Sequence, residues 1–215
     1  MSSNYLEIAD SFKNELKLLE SNLMEAFNGD RLQTILVTSS KSGEGKTVTA
    51  VSLARKLALE NNYKVLLVDS NIQSPKLHDI FSLPIQPGLS ECLNGDADTR
   101  QVCHPSDSNN LHVMPLGVPK GHISQVIKDH KLDDLIVELK SLYDYIIFDT
   151  TYVLGTSEVS LICSAFDAIL LVLECESTKW QVVKTAADKL TSSNGKLLGT
   201  ILNRRQFYIP QFFYG

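Results

Sequence analysis

The residues best suited to chemistry in this chain are Lys41-Ser42-Gly43-Glu44-Gly45-Lys46-Thr47. Gly43 and Gly45 would let backbone N–H groups turn inward around an anion. A helix starting at Lys46 would aim its positive dipole end at the same point, Lys46 would add a charge between phosphates, and the Thr47 hydroxyl could ligate Mg2+. The strict form of such a phosphate-binding loop, G-x-x-x-x-G-K-[ST], begins with glycine, and Ser40 stands there. The reading therefore rests on context: the apolar strand TILVT runs directly into the loop and a helical pattern leaves it. The alternative is a strand-to-helix turn with a chance Gly-Lys-Thr. Lys41, five residues before Lys46, fits a variant loop class in which a second lysine reaches a nucleotide phosphate, usually across a dimer interface; its alternative is a solvated loop lysine.

Two carboxylates stand where such a loop needs them. Asp69 follows KVLLV and Asp149 follows YIIF, each at the end of an apolar strand. There a carboxylate can hold Mg2+ directly or through water, or accept a proton from an attacking hydroxyl, as phosphoryl transfer requires. Strand capping is the other use of an acid in that position.

The elements that must position these groups follow from periodicity. Apolar residues Ile8, Phe12, Leu16, Leu19, Leu23 and Phe27 recur every three or four positions, which predicts a long amphipathic N-terminal helix over 1–30. It packs on its own domain or serves assembly. Strands are expected at 34–38, 64–69, 111–116, 145–149, 168–173 and 197–202, with helices over 46–61, 124–142, 156–165 and 177–190 and an irregular, proline-bearing stretch after Asp69. Strands apolar throughout need cover on both faces. The pattern therefore predicts a three-layer α/β domain over 31–206 with a mostly parallel central sheet. FYIPQFFYG at 207–215 reads as an extended aromatic tail.

Composition narrows the function classes. The 215 residues, 23.9 kDa, 43% apolar and 21% charged, suit one soluble globular domain. A formal net charge of -5 disfavours nucleic acid as a partner. The start MSSNYLEIADSFK lacks the features of a secretory signal, and no stretch approaches the about 18 apolar residues of a spanning helix, so a cytoplasmic protein is expected. Cys92, Cys103, Cys163 and Cys175 form no C-x-x-C pair and are expected to be buried thiols.

Taken together, SSKSGEGKT (39–47), VLLVDSNIQSPKLHDIF (65–81), GLSECLNG (88–95), YDYIIFDTT (143–151), KLLGTILNR (196–204) and the tyrosine-bearing tail resemble the bacterial tyrosine autokinases of capsule and exopolysaccharide synthesis, within the P-loop ATPases of variant Walker A type. The resemblance implies that Gly43, Gly45, Lys46 and Thr47 bind phosphates and magnesium, that Asp69 and Asp149 organise the metal, and that Lys41 joins Lys46 in catalysis. Ser42 and Glu44 count with the loop as nucleotide contacts, and Arg204 with Asn203, which would read the adenine edge; the alternative for Asn203 is a satisfied amide at a strand end. ATP or ADP with Mg2+ is the implied cofactor set, and Tyr208 and Tyr214 are the implied phosphate acceptors, unless the tail is packing or a docking peptide. The implied partners are a transmembrane polysaccharide copolymerase or activator, which would place the chain at the inner face of the membrane, and further copies of the chain in a homo-oligomer.

The chain departs from that pattern in places. Asn71 and Gln73 replace the second acid and the arginine of the family's D-x-D-x-R segment, and DTTYV stands for D-T-P-P. Asp10, Lys13 and Leu16 are the nearest match to its E-x-x-R-x-x-R assembly signature. Two further functions are therefore carried beside the autokinase: a catalytically weak nucleotide-binding regulatory subunit, and a partition or positioning ATPase.

Overall fold

Hydrophobic side chains alternate along each central strand, and that alternation builds two cores from one sheet. The computed structural model describes residues 32–60, 62–106, 108–119 and 131–204; the expected N-terminal helix, with Asp10, Lys13 and Leu16, and the tail with Tyr208 and Tyr214 lie outside the described residues. In chain order the elements are β1 (Thr34–Ser39), α1 (Lys46–Glu60), β2 (Val65–Asp69), α2 (Leu77–Ile80), α3 (Leu89–Asn94), α4 (Thr99–Val102), β3 (His104–Pro105), β4 (Leu111–Met114), α5 (Lys131–Leu142), β5 (Tyr145–Tyr152), α6 (Glu158–Ile162) with a 3-10 turn at Cys163–Ala165, β6 (Ala168–Glu174), α7 (Trp180–Ser192) and β7 (Leu197–Asn203).

The sheet order is β3-β4-β2-β5-β1-β6-β7, and all pairings are parallel except β3 with β4. On one face Ile35, Val37, Val65, Leu67, Ile147 and Leu170 meet Ala50, Leu53, Ala54 and Leu57 of α1. On the other, Leu36, Leu66, Ile146, Phe148, Ile169 and Leu171 meet α5 through Leu135 and Leu139 and α7 through Val183, Ala186 and Leu190. The expected three-layer α/β architecture with a mostly parallel sheet is thus the observed one. The carboxyl ends of β1, β2 and β5 lie side by side, where open parallel sheets place their ligands.

Several boundaries differ from the sequence reading. β5 runs on to Tyr152 because β-favouring Thr150, Thr151 and Tyr152 continue beside β1, with Ser39 opposite Tyr152 past a register shift. The stretch after Asp69 holds three short helices, α2, α3 and α4, the last capped by Asp98 accepting from the N–H groups of Arg100 and Gln101. Helix α7 starts at Trp180, not Ser177, because the N–H groups of Ser177 and Thr178 turn back to the Glu174 carbonyl. Of the four cysteines only Cys163 is buried; Cys92, Cys103 and Cys175 are half-buried, at the margins of the layers.

At the opposite edge from the carboxyl ends, Asp167 fixes where β1 enters the sheet. Its Oδ2 accepts from the N–H groups of Gln33 (3.1 Å) and Thr34 (2.9 Å) and from the Thr34 hydroxyl (2.9 Å), while Oδ1 meets Lys140 Nζ of α5 at 2.9 Å. Burial alone would push this carboxyl up, but Lys140 and the hydrogen bonds outweigh it and hold Asp167 below the usual carboxylate range. Asp167→Asn is expected to destabilise the fold by about 1–3 kcal/mol near neutral pH, by urea denaturation. Because the folded-state value is depressed, this contribution is present above the unfolded value and fades as pH falls through the folded one. The gap between variant and wild type should therefore close in acid, once pH has fallen through the depressed folded-state value.

Candidate functional site

The loop that leaves β1 is shaped by glycine conformations and by one inward-facing carboxylate. Gly43 and Gly45 have φ of 89° and 92°, the left-handed region that side chains resist. Space around Gly43 is open, whereas a Cβ on Gly45 would lie 1.8 Å from Asn203 Nδ2, so glycine lets the end of β7 close onto the loop. Lys46 and Thr47 begin α1, which places its N-terminal N–H groups at the loop.

The Glu44 side chain is 1% exposed and turns into the protein, so any nucleotide contact of this residue falls to its backbone. Its carboxylate accepts from the Ser40 hydroxyl through both oxygens (2.9 and 2.8 Å), from the Lys41 N–H (2.9 Å) and from the Thr178 hydroxyl ahead of α7. It staples the loop shut from inside. Ser40, where the strict pattern has glycine, supplies one of the staples. Asn203 donates from Nδ2 to the Glu44 carbonyl (2.9 Å) and accepts the Arg204 N–H on Oδ1 (2.9 Å). Arg204, just past β7, reaches Glu174 Oε1 at the end of β6 at 2.7 Å. Ser42 and Gly43 are exposed, and Lys41 and Lys46 half-buried.

Thr47 donates to Asp149 Oδ2 at 2.7 Å, joining α1 to the end of β5. Asp149 is fully buried, and its Oδ1 has no hydrogen-bond partner among the described residues. Burial first, then the neighbouring Asp69 carboxylate, push Asp149 up to about 7, with Thr47 and Lys46 opposing only in part. An orphaned buried carboxylate oxygen beside a threonine hydroxyl and a lysine fits a hard cation or its water.

Asp69 sits opposite Asp149 across the β2–β5 pairing. Its oxygens accept from three backbone N–H groups, Asn71 at 3.1 Å and Lys76 and Leu77 at 2.9 Å each. Burial still leaves its pKa raised. Asp69 therefore shapes the turn that follows β2. Asn71 is buried and accepts the Ser74 N–H at 3.3 Å, while Gln73 is exposed.

The structure thus brings Lys46, Thr47, Asp69 and Asp149 together, with Lys41 at the loop mouth and Asn203 beneath the loop. Thr178 carries no motif and falls in a stretch whose periodicity predicts helix, so no sequence signal points to it.

The fold and this loop define a P-loop NTPase domain. The family profile described as AAA domain matches residues 32–194. The chain is 30% identical over 205 residues to the tyrosine-protein kinase CpsD of Streptococcus agalactiae, covering 93% of this chain and 89% of CpsD. The crystal structure of the chimerical protein CapA2B2 superposes with a TM-score of 0.84 at 28% identity, over 90% of this chain and 85% of that one. The septum site-determining protein MinD of Pyrococcus horikoshii, complexed with Mg-ADP, has a TM-score of 0.66 at 25% identity, over 84% of this chain and 75% of that one. The chain belongs to the AAA-domain family and, within it, to the bacterial tyrosine-protein kinases.

The Asp149 shift fixes the sign of a pH effect. Its folded-state value lies above the unfolded one, so its contribution is fully present below about pH 4 and is lost as pH rises through about 7. The nucleotide-free chain is expected to lose on the order of 3 kcal/mol between about pH 5 and pH 8. Asp149→Asn should flatten the profile, as thermal melts across that range would show.

Proposed function

We propose that the chain is an ATP-dependent tyrosine autokinase that regulates polymerisation and export of a capsular or extracellular polysaccharide. The observation that carries this reading is the Lys46–Thr47–Asp149 arrangement at the mouth of β1 and β5, with the unpartnered Asp149 oxygen. It is supported by the chain's likeness, over nearly its whole length, to a protein named as a tyrosine kinase.

In this reading the loop N–H groups and Lys46 cradle the phosphates of ATP, Lys41 adds a second cation, and Thr47, Asp69 and Asp149 hold Mg2+. Bound Mg2+ would neutralise charge developing on the transferring phosphoryl group. A tyrosine Oη attacks the γ-phosphorus, the bond to the ADP oxygen breaks, and a carboxylate at the strand ends takes the phenolic proton. Tyr208 and Tyr214 are the acceptors, presented by a neighbouring copy. Asn203 stands next to the loop where it can meet the base as well as brace Glu44, with Arg204 beside it. The partner is a transmembrane copolymerase or activator, which keeps a cytoplasmic chain at the inner membrane face. Among the described residues no helix is long and apolar enough to cross a membrane.

A second reading is favoured by one observation. Both Asp69 oxygens are engaged by backbone N–H groups and Asn71 is turned to Ser74, so the turn after β2 presents no second carboxylate. On that reading the chain is a nucleotide-binding regulatory subunit of the export complex with weak kinase chemistry. A positive acid-base contribution is worth about 10²- to 10⁴-fold in rate, enough to separate the two.

Intact-mass analysis after incubation with Mg-ATP and the partner's cytoplasmic segment distinguishes them. The autokinase gains one or more phosphates in wild type, none in Lys46→Ala, and fewer or none in Tyr208→Phe/Tyr214→Phe. No gain in wild type would leave the regulatory reading.

A further inference from the structure

The segment that follows Asp149 is held in place from a distance. After β5 the chain makes a tight turn through Gly155, whose φ is 116°, closed by the Thr156 hydroxyl donating to the Tyr152 carbonyl (2.9 Å) and lying 3.1 Å from the Thr151 hydroxyl. This turn leans on the start of the phosphate loop. The Thr38 hydroxyl donates to the Thr151 carbonyl (2.7 Å), the Val153 N–H to the Ser39 carbonyl (2.9 Å) and the Leu154 N–H to the Ser40 carbonyl (3.1 Å). Both limbs of the turn are gripped by one side chain: Lys189 Nζ, on α7, donates to the Val153 carbonyl at 2.9 Å and the Thr156 carbonyl at 2.7 Å.

We propose that Lys189 is a positioning residue for the nucleotide site: by clamping the 153–156 turn it fixes the end of β5, and with it Asp149, against the phosphate loop. The ammonium is half-buried and its two acceptors are backbone carbonyls, so the hydrogen bonds to them act on main-chain position. The chain around Gly155 is where such a hold matters, because glycine leaves the turn many other backbone states. The same helix is tied at its other end, where Thr178, two residues before Trp180, donates to Glu44 within the phosphate loop. A helix of 13 residues is a stiff strut about 20 Å long. It spans from the staple inside the loop to the turn after Asp149, and each half of the site is thereby referenced to the same rigid body. Lys189 is bonded to main-chain carbonyls and acts through the backbone it holds.

This inference rests on the nucleotide-site reading above, and its test separates the two. Lys189→Met keeps the length of the side chain and removes its donors; Lys189→Arg restores donors. The full chain would be titrated calorimetrically with ADP in excess EDTA and with ADP in excess MgCl2. Lys189→Met is expected to bind metal-free ADP like wild type, since the loop N–H groups and Lys46 are intact, but to lose at least about fivefold of the tightening that Mg2+ gives, the factor for one or two hydrogen bonds. Lys189→Arg should recover most of it. A melting temperature lowered in Lys189→Met with the full Mg2+ tightening retained would overturn the proposal, leaving Lys189 as a stabilising contact only.

Hydrogen–deuterium exchange provides a readout that needs no ligand. Amides in 150–157 should exchange at least about tenfold faster in Lys189→Met, with β1 and β6 amides unchanged. Equal protection of 150–157 in variant and wild type would also overturn it. If wild type bound no ADP under either condition, the nucleotide reading would fail, and the exchange comparison alone would decide whether Lys189 holds the turn.

Discussion

The hydrogen bond from Thr47 to Asp149 is the constraint on which the site depends. It joins the first turn of α1 to the end of β5, and it does so with a carboxylate that has no access to water. A carboxylate in that position raises its pKa or finds a cation, and the fold supplies Lys46 nearby and leaves one oxygen unpaired among the described residues. Burial and the neighbouring Asp69 charge therefore put Asp149 under electrostatic tension. That tension is concentrated at the carboxyl ends of β2 and β5, where the sheet already directs a ligand.

The surrounding structure keeps that tension from relaxing. Glu44 fastens the loop from inside through Ser40, Lys41 and Thr178. Asn203 presses on Gly45 from below, which explains why that glycine matters for packing as well as for its backbone angle. Asp167 anchors the far end of β1 to β6 and α5, so the strand that delivers the loop is fixed at both ends. Asp69 accepts three backbone N–H groups of the turn after β2, and its charge acts on the neighbouring Asp149.

The sheet was legible because buried parallel strands are apolar throughout, and KVLLVD, YIIFD and AILLVL each lie within a residue or two of the observed strand starts. The phosphate loop was legible because its glycines and Lys46 are required at fixed spacing. What escaped the sequence acts through tertiary geometry. Thr178 and Lys189 belong to no motif, and their partners lie 134, 36 and 33 residues away. Glu44 looked like a loop contact because its position lies within the motif, yet burial turned it inward. The helix boundaries missed were those decided by main-chain turns, at Ser177 and after Asp69, where side-chain periodicity has no purchase.

The most direct test is a crystal structure of the full chain grown with Mg2+ and ADP. The account predicts the diphosphate enclosed by residues 41–47 with Lys46 against it, and a cation bound between the Thr47 hydroxyl and the formerly unpaired side of Asp149, directly or through one water. A nucleotide bound elsewhere, or a cation that leaves Asp149 without a partner, would contradict it.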